Sequence, residues 1–555
     1  MNKKVCSFPI LFALLTLLIG TCAVVFPASA QAAPTSTGSI TVSGTVASSY
    51  DAYQIFSANV VDGDSDAKIA TDLAWASDAV RDAALPVLHS AGMPNSQTTA
   101  QETAEWLNTE SHLTSALSAQ LARSLQSSDA VPVALNAGTT AELSCGYWLI
   151  VAKDDAIAQG EAGTAPIMAL VGGSAVTVKP KAATPKVSKH VLEDSTAAWQ
   201  KAADATVADD LYWRLSATVP AGLTAYDTYT VKFVDTMSAG LDPSKVAASM
   251  RVYAAAGTEG GFDAVSADKD GRAGTDPAKG WTDITAQCAT KVAADGTFTV
   301  RTGDLIAALG GTEAFTAGAR VVAVYNAPLN SACNHGIAKG NPNEVYLRYP
   351  RSPLADQSGD AGFTRTPSDN ACAYTWDLAL TKRGSDGDKP LAGAVLSIAD
   401  DRGRTLAADG TWDADGKATV TTGEDGRVTV SGVDSGKLEV RELKAPKGYT
   451  AFEGTRSVTV KAEGLDVDQV AAAKPKLTIT AESPLRADSA DGSTGSLEAS
   501  LINTPTGTPP SITTGGFMPS TGDMAMYAAA AAAVAGAALI VVALLVKRGG
   551  GSHKE

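Results

Sequence analysis

Five histidines, six cysteines and one Asp413-Ala-Asp415-Gly416 run are the residues of this 555-residue chain whose types suit catalysis or metal binding. His89, His112, His190, His335 and His553 stand in no H-E-x-x-H pair, and no G-x-S-x-G elbow occurs, so zinc-protease and serine-hydrolase chemistry lack their residues. The cysteines have no C-x-x-C spacing, which leaves no zinc site. The Asp413 run lacks the spacing of a full calcium loop, so an acidic turn is expected, with no metal and no cofactor. A different kind of residue stands out in Asn343-Glu-Val-Tyr-Leu-Arg-Tyr349. Period-2 alternation puts Asn343 on the face of Val345, Leu347 and Tyr349, pointing inward. Asn341 shares that parity but precedes Pro342, and is expected outside the strand.

These residues need elements to hold them, and the chain divides into a body with unlike ends. Met1-Asn-Lys-Lys, an apolar run from Val5 to about Phe26 and Ala28-Ser29-Ala30 form a secretory signal, residues 1–30. Residues 525–546 are long enough to cross a hydrocarbon core, and Lys547-Arg548 behind them keep residues 547–555 cytoplasmic. The body therefore lies outside the cell. Without the signal and the segment beyond Gly522 it holds 39 basic and 57 acidic residues, net −18, against −15 for the whole chain. Such a balance excludes a nucleic-acid partner. Cys145, Cys288, Cys333 and Cys372 remain in an oxidising space, where three fully paired connectivities are open. Cys333 and Cys372 flank the Asn343 strand and its return and are the expected pair; Cys145 and Cys288 fall in different domains.

Within the body, residues 31–182 read as mixed α and β. Strand patterns at 38–57, 146–152 and 175–181 surround a helical stretch from about Thr99 to Leu125. From Pro185 onward short strands are separated by Gly, Asp and Pro, which predicts two successive β-sandwiches over 186–378 and 379–505. Residues 506–522 form a Thr- and Pro-rich stalk. The fold class is mostly β: tandem Ig-like sandwiches after a mixed α/β N-terminal domain.

Met518-Pro519-Ser520-Thr521-Gly522, the apolar span and the basic tail, in that order, resemble the cell-wall sorting signal of Gram-positive surface proteins, with Met for the usual Leu. The resemblance implies that a sortase thiolate attacks the Thr521 carbonyl, Gly522 leaves, and an amine resolves the acyl-enzyme. Leu438-Glu-Val-Arg-Glu-Leu-Lys-Ala-Pro-Lys-Gly-Tyr449 looks like the E-box of sortase-assembled pilins, and Val176-Thr-Val-Lys-Pro-Lys181 is similar to their pilin motif, with Lys179 for Tyr and Ala182 for Asn. Lys181 occupies the position of the lysine that attacks the next subunit, with Lys179 and Lys186 as neighbouring amines. The chain thus resembles major shaft pilins of the Actinomyces fimbrial kind, with CnaB-like domains.

That resemblance implies internal cross-links. In the family, a lysine on the first strand of a sandwich and an asparagine on the last form an isopeptide bond beside a buried acid. The reaction needs a neutral amine, a carboxamide and a protonated carboxyl group, and apolar burial favours both neutral forms. Lys382, Asn503 and the E-box Glu442 are the set implied for 379–505; Lys189, Asn343 and Asp235 are the set implied for 186–378. No such set is expected in the first domain. The implied function is a secreted shaft subunit of a covalent fimbria, Thr521 joined to Lys181 of the next copy, anchored to peptidoglycan after a transient membrane-bound precursor. Its partners are pilin-specific and housekeeping sortases, further copies, a tip subunit and a host or bacterial receptor. The competing reading is a monomeric wall-anchored adhesin in which Lys181 has no role. Beyond self-cross-linking, no enzymatic activity is expected.

Overall fold

The computed structural model describes residues 36–64, 67–109, 111–180, 183–268 and 271–507. The signal, Lys181, the 518–522 motif, the 525–546 span and the tail lie outside the described residues.

The N-terminal unit is built on strands apolar on both faces. In Gly146–Ala152, Leu149 and Val151 face a helical layer while Trp148 and Ile150 face a second sheet. The sheet runs Lys68–Trp75, Ser49–Asp62, Gly146–Ala152, Ile167–Val171, with Val133–Asn136 also on Ser49–Asp62. The smaller sheet runs Thr140–Ser144, Thr37–Val42, Val176–Val178. The single helical stretch expected from Thr99 to Leu125 is two helices, Ala100–Leu107 and Ser115–Gln126. Each has its own N-cap. Thr99 and Glu102 close a capping box, and Thr114 accepts from the Leu117 amide, restarting the chain in a new direction. A third helix, Asp78–Ser90, was hidden in the sequence by Pro86 and is capped by Ser77.

The second unit is a sandwich. One sheet runs Ala198–Gln200, Lys186–Glu193, Tyr212–Val219, Ala319–Asn326, Arg251–Ala256, Thr282–Asp283. The other runs Ala202–Asp204, Asp369–Tyr374, Asn341–Pro350, Lys232–Met237, Thr297–Arg301, Ala289–Val292, with Phe363–Arg365 on its Asn341–Pro350 strand. Val191, Trp213, Leu215 and Tyr325 of the first sheet pack with Phe233, Phe298, Val345 and Leu347 of the second.

The third unit is a smaller sandwich. Arg427–Val433, Trp376–Gly384, Ser496–Pro505 and Tyr449–Thr450 form one sheet, with Leu485–Asp491 also on Ser496–Pro505. Trp412–Asp413, Thr405–Leu406, Val395–Ala399, Gly436–Lys444, Thr455–Glu463 and Lys476–Ala481 form the other, with Val420–Thr421 on Val395–Ala399. Its first and last long strands are parallel neighbours, Lys382 opposite Leu501 and Gly384 opposite Asn503.

Two expectations are corrected. Asn341 is the first residue of the Asn341–Pro350 strand and is fully buried. Its Nδ2 donates to the Asn334 and Ala373 carbonyls and its Oδ1 accepts from the Asn334 amide, so Pro342 interrupts nothing. Cys333 and Cys372 are both free thiols. Alternation along Asp369–Tyr374 sends Ala371 and Ala373 into the core that holds Cys333, and turns Cys372 with Tyr374 toward the third unit's core. Cys145 and Cys288 are also free.

Candidate functional site: two buried lysine, acid and asparagine clusters

In each sandwich a polar residue takes an inward position that an aliphatic residue would otherwise fill. Along Lys186–Glu193 the inward row is Val187, Lys189, Val191; along Lys232–Met237 it is Phe233, Asp235, Met237; along Asn341–Pro350 it includes Asn343, Val345 and Leu347. Asp235 lies opposite Val345 and Met237 opposite Asn343, so acid and amide are two residues apart on adjacent strands, facing Lys189 across the sandwich.

All three side chains are fully buried. Lys189 Nζ pairs with Asp235 Oδ2 and donates to Tyr325 Oη at 2.8 Å. Asn343 Nδ2 donates to the same Tyr325 Oη at 2.8 Å, and that hydroxyl donates to Asp235 Oδ2 at 3.2 Å. The Trp213 and Tyr325 rings lie 5.5 and 5.4 Å from the ammonium. Among the described residues Asp235 Oδ1 and Asn343 Oδ1 have no hydrogen-bond partner. Two orphaned acceptors in one dry pocket favour a proton on the acid, which turns an acceptor into a donor. Burial pushes the lysine down to about 8 and Asp235 up to about 6, each opposed by attraction to the other. Burial thus shifts each group toward its neutral form, which brings the neutral amine and neutral acid within reach.

The lysine's backbone is also held. Its amide donates to Asp369 Oδ2 at 2.7 Å, and Lys201, paired with Asp369, donates to its carbonyl at 2.8 Å. Tyr325 was not singled out from the sequence, although Val321, Ala323 and Tyr325 share one parity in Ala319–Asn326. A tyrosine on an inward row reads as core until its hydroxyl is seen to need partners.

In the third unit Leu378, Leu380 and Lys382 share the inward row of Trp376–Gly384, as do Leu497, Ala499, Leu501 and Asn503 on Ser496–Pro505 and Leu438, Val440 and Glu442 on Gly436–Lys444. Glu442 Oε1 is 3.6 Å from Lys382 Nζ and accepts from Asn503 Nδ2 at 2.9 Å; its Oε2 accepts from the same nitrogen and from the Phe452 amide, each at 3.1 Å. Lys382 Nζ also donates to the Leu501 carbonyl at 3.2 Å, and Asn503 Oδ1 has no partner. Burial lowers Lys382 to about 8 against the pull of Glu442.

The other candidate is ordinary structure. Asp413 closes its own turn, its carboxylate accepting from the Asp415, Lys417 and Ala418 amides at 3.1, 3.0 and 2.9 Å. Carboxylates do gather where the second and third units meet. Asp204 Oδ2 accepts from Trp376 Nε1 at 2.6 Å and from the Ser435 amide at 3.0 Å, and Asp204 N donates to Glu193 Oε2 at 3.2 Å. Asp194 and Asp434 complete the group, while Arg402 reaches Asp194 and Asp209, and Arg404 reaches Asp209 and Asp400. Burial and neighbouring carboxylates raise Glu193 to about 7, raise Asp194, and raise Asp434 well above the usual range.

The class defined by fold and site is a tandem β-sandwich protein whose sandwiches each bury a lysine, an acid and an asparagine. Residues 377–474, within the third unit, match the family described as SpaA: Prealbumin-like fold domain. The trypsin-resistant surface T6 protein of Streptococcus pyogenes is 30% identical over 143 residues, a match that covers 24% of this chain and 24% of that relative. The solved T6 backbone pilin of S. pyogenes is 17% identical at a TM-score of 0.46, covering 85% of this chain and 98% of its own. The major pilin SpaD of Corynebacterium diphtheriae is 15% identical at a TM-score of 0.41, covering 86% and 100%.

Proposed function

We propose that this chain is the shaft subunit of a covalent surface fimbria, self-cross-linked by Lys189–Asn343 and Lys382–Asn503 bonds and polymerised by sortase from Thr521 to Lys181 of the next copy. The observation that carries this reading is the pair of buried clusters. A lysine and a carboxylate in a dry core cost stability as a bare ion pair, and bonding the amine to the neighbouring carboxamide removes that cost. The match of residues 377–474 to the SpaA prealbumin-like fold domain family supports it.

The chemistry balances within each cluster. Lys189 Nζ, one proton passed to Asp235, attacks Asn343 Cγ; a second proton moves from Nζ to Nδ2, the new C–N bond replaces the bond to Nδ2, and ammonia leaves. Lys382, Glu442 and Asn503 undergo the same exchange. Closing the 189–343 loop stabilises the sandwich by about 5 kcal/mol in the chain-entropy treatment. Tension entering at Trp376 and leaving at Pro505 then crosses the Lys382–Asn503 bond and bypasses the residues between. A subunit of this kind works as a tensile link, anchored to peptidoglycan at the base of the polymer.

Wall extracts are expected to give a high-mass ladder on immunoblots that collapses to a monomer in a Lys181→Ala strain. A ladder that persists rules out Lys181, and a wild-type monomer alone replaces the shaft reading with a single wall-anchored adhesin. The rate of Lys189–Asn343 bond formation is expected to be bell-shaped in pH, flat between about 6 and about 8. In that window the pair holds one proton; below it Lys189 is charged, and above it Asp235 has none to offer. Time courses of the cross-linked peptide, from chain made cell-free and moved into buffers across that range, check it; a monotonic profile contradicts the assignment.

A further inference from the structure

The two clusters differ in how the acid reaches the amide. In the third unit one oxygen, Glu442 Oε1, is 2.9 Å from Asn503 Nδ2 and 3.6 Å from Lys382 Nζ, so the carboxyl group itself touches the nitrogen that must lose a proton and the one that must gain it. In the second unit the acid is one methylene shorter. Asp235 hydrogen-bonds Lys189 and Tyr325 through Oδ2; among the described residues its Oδ1 has no partner, and the one hydrogen bond of the Asn343 side chain goes to Tyr325. The atom common to nucleophile and leaving group is the phenol oxygen, 2.8 Å from each.

We propose that Tyr325 is a catalytic residue of the second-unit cross-link, its hydroxyl carrying the proton from Lys189 Nζ to the departing nitrogen of Asn343. This rests on the reading of that unit as self-cross-linking. Attack of the neutral amine on Asn343 Cγ gives a tetrahedral centre with a positive Nζ and a negative oxygen. Tyr325 Oη takes one proton from Nζ and gives its own to Nδ2, the C–Nδ2 bond breaks, and neutral ammonia leaves. The phenol and the protonated Asp235 are regenerated, and no further reactant is needed. Spacing favours this route, because 2.8 Å on both sides lies within the reach required of a general acid and base. The phenol is held by Phe298, its ring 4.7 Å away in an edge arrangement, and by the packed core around it.

The test follows both bonds in one molecule. Full chain is synthesised cell-free, sampled over time into denaturant, digested, and the Lys189–Asn343 and Lys382–Asn503 peptides are quantified by mass. Tyr325→Phe is expected to slow the first by about a hundredfold, the usual weight of one general acid and base, and to leave the second unchanged. Equal slowing of neither bond, with Lys189–Asn343 forming at the wild-type rate, overturns the proposal. Absence of the Lys189–Asn343 peptide from the wild-type chain instead overturns the self-cross-linking reading on which it rests. Should Tyr325→Phe lose protease resistance, 3,5-difluorotyrosine at 325 decides, since it keeps the ring's packing and makes the hydroxyl more acidic. A shifted rate and pH profile is expected; an unmoved profile reduces Tyr325 to a packing residue and overturns its catalytic role.

Discussion

Replacing Glu442 by glutamine is expected to leave Lys382 and Asn503 unbonded, to raise the intact mass by about 16 Da, the ammonia of about 17 Da retained less about 1 Da for the substitution, and to lower the third unit's melting point by on the order of 10–20 °C. Glutamine keeps the shape of the site while removing the acid that, among the described residues, contacts both nitrogens, so the loss is chemical. Two effects add. The chain between residues 382 and 503 regains the freedom that the bond had removed, a difference of several kcal/mol in the entropy treatment. Lys382, with no side-chain exposure, is also left as an amine without a carboxylate. Lys382→Met combined with Glu442→Gln separates the two, since it forms no bond and leaves neither an amine nor a carboxyl group of the pair buried. Calorimetry with intact-mass measurement reads both. A melting point unchanged in either variant, or a wild-type mass with no ammonia missing, removes the cross-link from the third unit.

The carboxylates between the second and third units are expected to make their junction more stable in mild acid. Glu193 is raised to about 7, and Asp194 and Asp434 are also raised, with burial the largest cause and Asp204 beside each of them. Below the ordinary carboxylate range folded and unfolded chains are both protonated, and the group costs nothing. As pH rises toward about 7 the unfolded chain ionises first while the folded one retains its protons, so stability is lost across that interval. The Arg402 pairs with Asp194 and Asp209, and the Arg404 pairs with Asp209 and Asp400, oppose the repulsion without reaching Asp434. Glu193→Gln with Asp434→Asn is expected to stabilise the protein at about pH 8 and to flatten its dependence between about pH 5 and 8. Chemical denaturation at those two values measures it. A double variant that keeps the wild-type slope places the pH dependence elsewhere.

Asn343 was legible in strand parity, while Lys189, Asp235, Lys382, Glu442 and Asn503 were reached through the resemblance to isopeptide-forming sandwiches. Lys189 between Val187 and Val191, Asp235 between Phe233 and Met237, Lys382 after Leu378 and Leu380, and Asn503 after Ala499 and Leu501 each break an apolar row at one position, and a period of two is a property of any strand. Asn341 and the cysteines were not legible in that way. Asn341 shares the parity of Asn343, but its hydrogen bonds all go to Asn334 and Ala373, partners brought there by a turn and by a neighbouring strand. Cys333 and Cys372 looked like a pair by position; the face each occupies depends on which core the Asp369–Tyr374 strand turns each residue toward.

Sequence alone set out the order of the units that the structure describes, a mixed α/β unit followed by two sandwiches, because each is written in local composition and periodicity. It also placed Asn343 on an inward row, and the family resemblance picked out the lysines, the acids and Asn503. Which of them meet was decided only by tertiary structure. Strand order in the sheets set Asp235 two residues from Asn343 across a strand pair, placed Asn503 beside Lys382 on parallel first and last strands, and brought Tyr325 from a strand that pairs with neither Asp235 nor Asn343. Contacts between residues more than a hundred positions apart depend on how the sheets pair and stack, and no local pattern records that. The Tyr325 hydroxyl, 2.8 Å from two nitrogens that arrive from opposite sheets, exists as a site only once the sandwich has closed.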